Sequence, residues 1–256
     1  MSALKEKTTV GGVDFTVATL PSATAWTIES GKEHRPLAVR LGNAYSVVLA
    51  NRDPLYMRVL NGVGETYPDG APVAAAMRLQ HARTQARRVR GPSLFCKVLD
   101  EGRHYDLRHF FLGATPETLD RLEQNLLRQY PGLHVTGTFA PRFGPVDDAL
   151  VERCAAEVRA TDADLVWVAL GTPKQDFLAE QLAAAIGRTC VGVGAAFDFV
   201  AGTVEEAPTW VQKAGLEWLY RLSAEPGRLW RRYVLGNPLF VVYAVASWLR
   251  RKGPHV

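Results

Sequence analysis

The sequence predicts an α/β protein: a parallel sheet covered by helices, with an N-terminal β-hairpin region and a C-terminal helical appendage. Two observations carry this. From residue 108 onward, apolar runs of strand length (RHFFLGA, LHVTGTFA, DLVWVALG, TCVGVGAAFDFV) alternate with helix-period segments (PETLDRLEQNLLRQY, PVDDALVERCAAEVRA, PKQDFLAEQLAAAIG). Such alternation is the pattern of a Rossmann-like sheet, in which helices form the crossovers between parallel strands. The second observation is a compositional break near Ala207 and Pro208, where a Trp- and Arg-rich tail begins.

In chain order, residues 1–40 read as short strands and turns, and VGGVDFTVATL has the glycine turn and alternation of a hairpin. Between 43 and 107 the chain is more helical, with candidate helices at AYSVVLANRDPLYMRVLN, APVAAAMRLQHARTQARR and SLFCKVLDEG and a short strand near ETYPD. The expected division is an α/β domain over 1–207, including the strands and turns of 1–40, and an appendage over 208–256. At 256 residues and 47% hydrophobic content, the chain is long and apolar enough for one large core.

The amino terminus, MSALKEKTTV, lacks the apolar stretch of a signal peptide, and the longest apolar run, LFVVYAVASWL, is too short to span a bilayer. Cys96, Cys154 and Cys190 are odd in number and scattered, with no CxxC pair, so a reducing cytoplasm is expected and a zinc site is not. A formal charge of +4 says less about partners than the positions of the basic residues do.

In open α/β sheets, ligands bind where strands end and helices begin, because helix amino termini present unpaired N–H groups. FFLGATPET and WVALGTPKQDF place Gly113, and Gly171 with Thr172, at such junctions. Each is either a diphosphate cradle or a capped turn with proline in the first helical turn. Neither is a GxGxxG or Walker loop. Asp69, in YPDGAP, is either a general base or ordinary Asp-Gly turn chemistry. Asn43 is either a helix cap or a ligand-binding amide. Asp198, in or just beyond an apolar strand, is either buried scaffold or a substrate contact. Asp162 and Asp164 form an Asp-x-Asp, but they precede a strand, which is the wrong end for a ligand site, so no metal is expected there. The six histidines show no metal-ligand spacing.

Beyond residue 208 the basic residues Lys213, Arg221, Arg228, Arg231, Arg232, Arg250, Arg251 and Lys252 face only Glu217 and Glu225, among four of the six tryptophans. This composition suits an anionic membrane surface, a packed helix pair or single-stranded nucleic acid. Spacing of seven and three would put Arg221, Arg228 and Arg231 on one helical face, able to clamp a diphosphate.

Taken together, YPDGAPV, ALGTPKQDF, GVGAAFDFVAG and LEWLYRLSAEPGRLWRRYVLGNPLF resemble the WecG/TagA/CpsF family, glycosyltransferase family 26, in order from about Asn43 to about Phe240. The resemblance implies an inverting, metal-independent enzyme without a cofactor. It would move N-acetylmannosamine or a related sugar from a UDP-sugar donor to a polyprenyl-diphosphate-linked acceptor, such as GlcNAc-diphospho-undecaprenol, in cell-wall or exopolysaccharide assembly. It also implies a peripheral seat on the inner face of the bacterial cell membrane, a possible homo-oligomer and no nucleic-acid partner. In family terms Asp69 matches the catalytic base, Asn43 and Gln175 match polar groups around the donor sugar, and Asp198 matches the aspartate after the late strand. Arg221, Arg228 and Arg231 match appendage arginines that meet the diphosphates. Leu41, Glu206, Asp176 and Gly227 depart from the family pattern, which leaves two alternatives: a different UDP-sugar donor, or a disabled nucleotide-binding scaffold.

Overall fold

The computed structural model describes residues 6–80 and 84–252, apart from the side chains of 228, 251 and 252. Strands β1 (Lys7–Val10) and β2 (Val13–Thr16) form the expected hairpin, turning on Gly11 and Gly12, both at positive φ. The main sheet has six strands: β3 (Ala38–Gly42), β4 (Gly64–Pro68), β5 (Arg108–Gly113), β6 (His134–Phe139), β7 (Leu165–Ala169) and β8 (Thr189–Gly192). They are ordered β4-β3-β8-β7-β5-β6 and every pairing is parallel.

The helices joining them are α2 (Ala44–Ala50), α3 (Pro54–Leu60), α4 (Ala71–Gln80), α5 (Gly91–Gly102), α6 (Pro116–Gln129), α7 (Asp148–Arg159), α8 (Lys174–Ile186) and α9 (Ala196–Ala201). Local chemistry sets their limits. Thr115 caps α6 through the Thr118 amide, Pro116 sits in its first turn with Glu117, and Arg128 lies in its last turn. The stretch expected as one helix over 44–61 is broken at Asn51–Asp53, because Asp53 caps α3 through the Leu55 amide and Pro54 follows. Helix α4 is described over Ala71–Gln80, and residues 84–88, expected as its continuation, have no regular secondary structure. Strand β8 ends at Gly192, so AFDFVA is helical rather than a prolongation of the strand.

Residues 1–40 also hold a helix absent from the sequence reading, α1 (Leu20–Lys32). Thr19 and Ser22 form a capping box and Pro21 stands in the first turn. Its buried residues are Ala23, Thr24, Trp26, Thr27, Ile28, Ser30 and Gly31, and the hydroxyls of Thr24, Thr27 and Ser30 each donate to the carbonyl four residues back. Polar groups satisfied in this way bury beside Trp26 and Ile28 and break up the apolar period in the sequence. Gly31 is required by proximity, since a Cβ there would lie 2.7 Å from Leu165.

Alternate residues of the strands enter opposite layers. Val39, Leu41, Tyr67, Phe111, Leu165, Trp167 and Val191 pack with α1, α5, α6 and α9. Phe110, Leu112, Val166, Val168 and Cys190 pack with α7 and α8. On that second face α2 and α3 share a core with the hairpin. Strand β8 is therefore followed by a helix on one face, while its neighbours β3 and β7 lead to helices on the other. Such a change of side opens a crevice at the carboxyl ends of the strands.

The chain then runs through α10 (Thr209–Lys213), α11 (Glu217–Ala224) and α12 (Pro226–Trp230), a π-helical segment over Arg231–Leu235, and α13 (Gly236–Lys252). Phe240 and Ala244 of α13 are buried with Val10, Val47 and Tyr56, so the last helix seals the hairpin and α2. No helix among the described residues is long and apolar enough to cross a membrane.

Candidate active site

A cleft of about 360 Å³ opens at the carboxyl ends of β4, β3, β8 and β7 and is closed on its far side by α11 and the π segment. Of the residues singled out in the sequence, Asn43, Asp69, Gly171, Thr172, Gln175, Asp198 and Arg221 line it. Residues remote in sequence meet here because each follows a strand or opens a helix at one edge of the sheet.

Asp69 follows β4, and its amide donates to the Gly42 carbonyl at the end of β3 (2.8 Å). Its carboxylate has no hydrogen bond among the described residues. Burial raises its pKa above the ordinary carboxylate range, with Glu217 adding to the effect and Arg88, Arg90 and Arg232 opposing it. A carboxylate held this way is a stronger base than one in water.

Asn43 is indeed a cap: its Oδ1 accepts from the Tyr45 and Ser46 amides (3.0 and 3.2 Å), and the Ser46 hydroxyl accepts from the Asn43 backbone amide. The cap fixes the side chain and leaves the amide nitrogen as the group to offer the cleft. Gln175, buried in the first turn of α8, accepts from the Gly194 amide at 3.0 Å, which ties the β7 and β8 loops together. Helix α8 begins without a side-chain cap, at Pro173 rather than with proline inside its first turn. Asp198 serves the scaffold in part: Thr203 donates to its carboxylate at 3.4 Å, and its carbonyl accepts from the Thr203 amide.

Two sequence expectations, Gly113 and Arg231, fall elsewhere. Gly113 is not among the cleft residues; it is buried at the end of β5 with φ of 122°, where a Cβ would lie 2.4 Å from the Ala169 carbonyl oxygen. Arg231 is exposed, over the ring of Trp230 (5.3 Å), away from the cleft lining. The side chain of Arg228 lies outside the described residues. The shared helical face fails because Glu225, with φ of −133°, ends α11 and Pro226 opens a new helix, so spacing does not carry across.

The sequence reading missed Arg88, Arg90, Glu217 and Arg232. Arg88 and Arg90 occupy alternate positions of an extended segment whose Val89 amide donates to the Pro68 carbonyl, so they share one side. Both pair with Glu217 of α11, and Arg90 also pairs with Glu206. Burial alone would raise the Glu217 pKa, but the bonds and field of Arg90 and Arg88 hold it below the ordinary range. The legible signal was the arginine pair two apart just before the helix start at Gly91.

Behind the cleft, the Tyr56 hydroxyl donates to Asp176 Oδ2 (2.6 Å), and burial pushes the Asp176 carboxyl up to about 6 against the pull of Tyr56 and Arg40. The fully buried Arg40 pairs with Glu180. Asp162 and Asp164 lie at the opposite, amino end of β7 and are spent on Arg108, with His34 also on Asp164. Among the described residues no cluster of three or more metal-ligating acids, cysteines or histidines occurs.

Four arginines and three carboxylates converge at the strand ends of a parallel sheet, the edge where α/β enzymes bind their ligands and a charge distribution that suits an anionic group. Residues 8–254 match the model of the glycosyl transferase WecG/TagA/CpsF family, and the chain belongs to that family. It is a glycosyltransferase. Over 207 residues it is 31% identical to the N-acetylglucosaminyldiphosphoundecaprenol N-acetyl-beta-D-mannosaminyltransferase of Bacillus spizizenii (strain ATCC 23059 / NRRL B-14472 / W23), covering 80% of this chain and 77% of that protein.

Proposed function

We propose that this chain transfers N-acetylmannosamine, or a closely related sugar, from a UDP-sugar to a polyprenyl-diphosphate-linked N-acetylglucosamine, with inversion and with Asp69 as general base. The observation that carries the reading is the Asp69 carboxylate, desolvated and without a hydrogen bond among the described residues, at a strand end facing a cleft rimmed with arginines. The relative from Bacillus spizizenii supports the choice of sugar and acceptor.

In the proposed reaction the acceptor hydroxyl oxygen attacks the anomeric carbon, the bond from that carbon to the diphosphate oxygen breaks, and the hydroxyl proton passes to Asp69. UDP leaves with the bonding electron pair. Negative charge builds on the leaving diphosphate, where Arg88, Arg90 and Arg221 and the amides of the Gly171–Thr172 loop would stabilise it. Asn43 and Gln175, their oxygens occupied, present amide nitrogens toward the sugar hydroxyls. Loss of one arginine contact costs about 2.7–4 kcal/mol of barrier by analogy with oxyanion-hole donors.

The test is UDP release from a panel of UDP-sugars, with and without a short-chain prenyl-diphosphate N-acetylglucosamine acceptor in detergent, in EDTA. Acceptor-dependent release from UDP-N-acetylmannosamine is the expected result. Release from another donor alone would overturn the sugar; UDP binding without turnover on any donor would overturn the transfer reaction assigned to the site.

A further inference from the structure

The arginines that reach the cleft are not equivalent. Arg88 and Arg90 are neutralised by Glu217. Arg221 and Arg232 are not: among the described residues no carboxylate pairs with either, and the Nε of each is buried without a hydrogen-bond partner; Arg221 lies over one ring, Phe199, whereas Arg232 is set between two. The Arg232 guanidinium lies 5.0 Å from the centre of Tyr45 and 5.7 Å from that of Tyr233. Burial lowers its pKa, Arg221 adds to that, and Tyr233, Asp69 and Tyr45 only partly offset it.

A guanidinium stays charged in a protein, so one that is partly desolvated and unpaired carries a cost that an arriving anion removes. The flanking rings fix its plane, and a fixed guanidinium fork suits two acceptor oxygens at once. Its backbone lies in the π segment Arg231–Leu235, and π turns of this kind are frequent at functional sites because they re-aim side chains. Here neighbouring arginines diverge: Arg231 is exposed over Trp230, whereas Arg232 lines the cleft. Tyr45 itself is held in place, its amide bound by the Asn43 cap.

We propose that Arg232, clasped between Tyr45 and Tyr233 in the π segment, is a further residue that binds a substrate diphosphate in the cleft lined by Asp69. The inference rests on the reading of diphosphate-bearing substrates given above. Two diphosphates enter that reaction, the donor's and the acceptor's, and the same guanidinium fork recognises either.

The experiment measures affinity for UDP by calorimetry, affinity for the short-chain prenyl-diphosphate acceptor in detergent, and ligand-free melting temperature. It compares the unmodified chain with Arg232→Gln, Arg232→Lys and the exposed-charge control Arg121→Gln. Arg232→Gln should weaken one ligand by roughly ten- to a hundredfold, as expected for a lost charged hydrogen bond, without lowering the melting temperature. Loss confined to UDP assigns the donor's diphosphate, and loss confined to the acceptor assigns the acceptor's. Arg232→Lys should recover little, because an ammonium neither stacks nor bonds through a planar fork. It also carries the test if the Gln variant folds poorly.

Unchanged affinity of both Arg232 variants for both ligands, with the unmodified chain binding them, overturns this proposal and leaves the transferase reading standing. An equal loss with Arg121→Gln reduces the effect to net charge and also overturns it. If the unmodified chain binds neither UDP nor the acceptor, the reading of the substrates falls first.

Discussion

At the scale of single residues, Asp69 sets chemistry against stability. Its folded pKa is raised, so protonation is tighter in the folded state; the group costs nothing below its unfolded pKa and becomes destabilising as pH rises through the folded value. Asp69→Asn removes that cost. The variant should lose about 10²–10⁴-fold in turnover while melting higher than the unmodified chain at pH 7, with the gap closing as pH falls towards 4. Calorimetric melts across that range check the sign, and a variant that melts lower at pH 7 would remove the desolvation argument. Asp69 and Asn43 were legible as candidates because each is a polar residue just beyond a strand-length run, whereas Gln175 entered only with the family resemblance. Arg232 was not, since helical-face arithmetic assumes one unbroken helix, and Glu225–Pro226 and the π segment interrupt it.

At the scale of elements, two changes separate packing from binding. Gly113 reads in the sequence as part of either a diphosphate cradle or a capped turn, and its φ of 122° and the approach of the Ala169 carbonyl give it a reason in the β5–β7 junction. Gly113→Ala should cost at least the about 1–3 kcal/mol of a strained backbone, read as a lower urea midpoint, with UDP affinity retained; lost affinity in a folded variant would return the residue to ligand binding. Glu217 anchors α11 to the body through Arg88 and Arg90. Its folded pKa is depressed, so its contribution is present above its unfolded pKa and is lost as pH falls through the folded value. Glu217→Gln should weaken this docking at pH 7 by less than the about 3–5 kcal/mol of a fully buried pair, seen as faster proteolysis within 202–216. An unchanged cleavage rate would mean that the ion pairs do not hold α11. The strand–helix alternation that frames these elements was readable because strands buried on both faces show as continuous apolar runs. Helix α1 was hidden because small and self-satisfied polar residues surround Trp26 and Ile28 among its buried positions and break the apolar period.

At the scale of the whole molecule, the C-terminal helix has two faces with different work. Phe240 and Ala244 turn inward to seal the hairpin and α2, whereas Val234, Val241, Val245 and Leu249 are about half exposed, and the last three recur at steps of four along one stripe. An apolar stripe on a helix that also carries arginines is the build of an element that lies in a membrane interface, and the proposed acceptor is membrane-linked. If that surface seats the enzyme, Val241→Ser with Val245→Ser should leave the melting temperature within a degree or two, because neither valine belongs to the shared core. About half of each is already covered, so together they would contribute about 2 kcal/mol of membrane burial, and the double variant should partition into anionic liposomes roughly thirtyfold less. Turnover on a short-chain acceptor in detergent should persist, since the cleft is untouched. Sedimentation with liposomes separates the cases: equal partitioning with intact folding would leave the stripe without a membrane role, whereas reduced partitioning with intact detergent activity would divide the helix into an inner face that completes the fold and an outer face that meets the lipid.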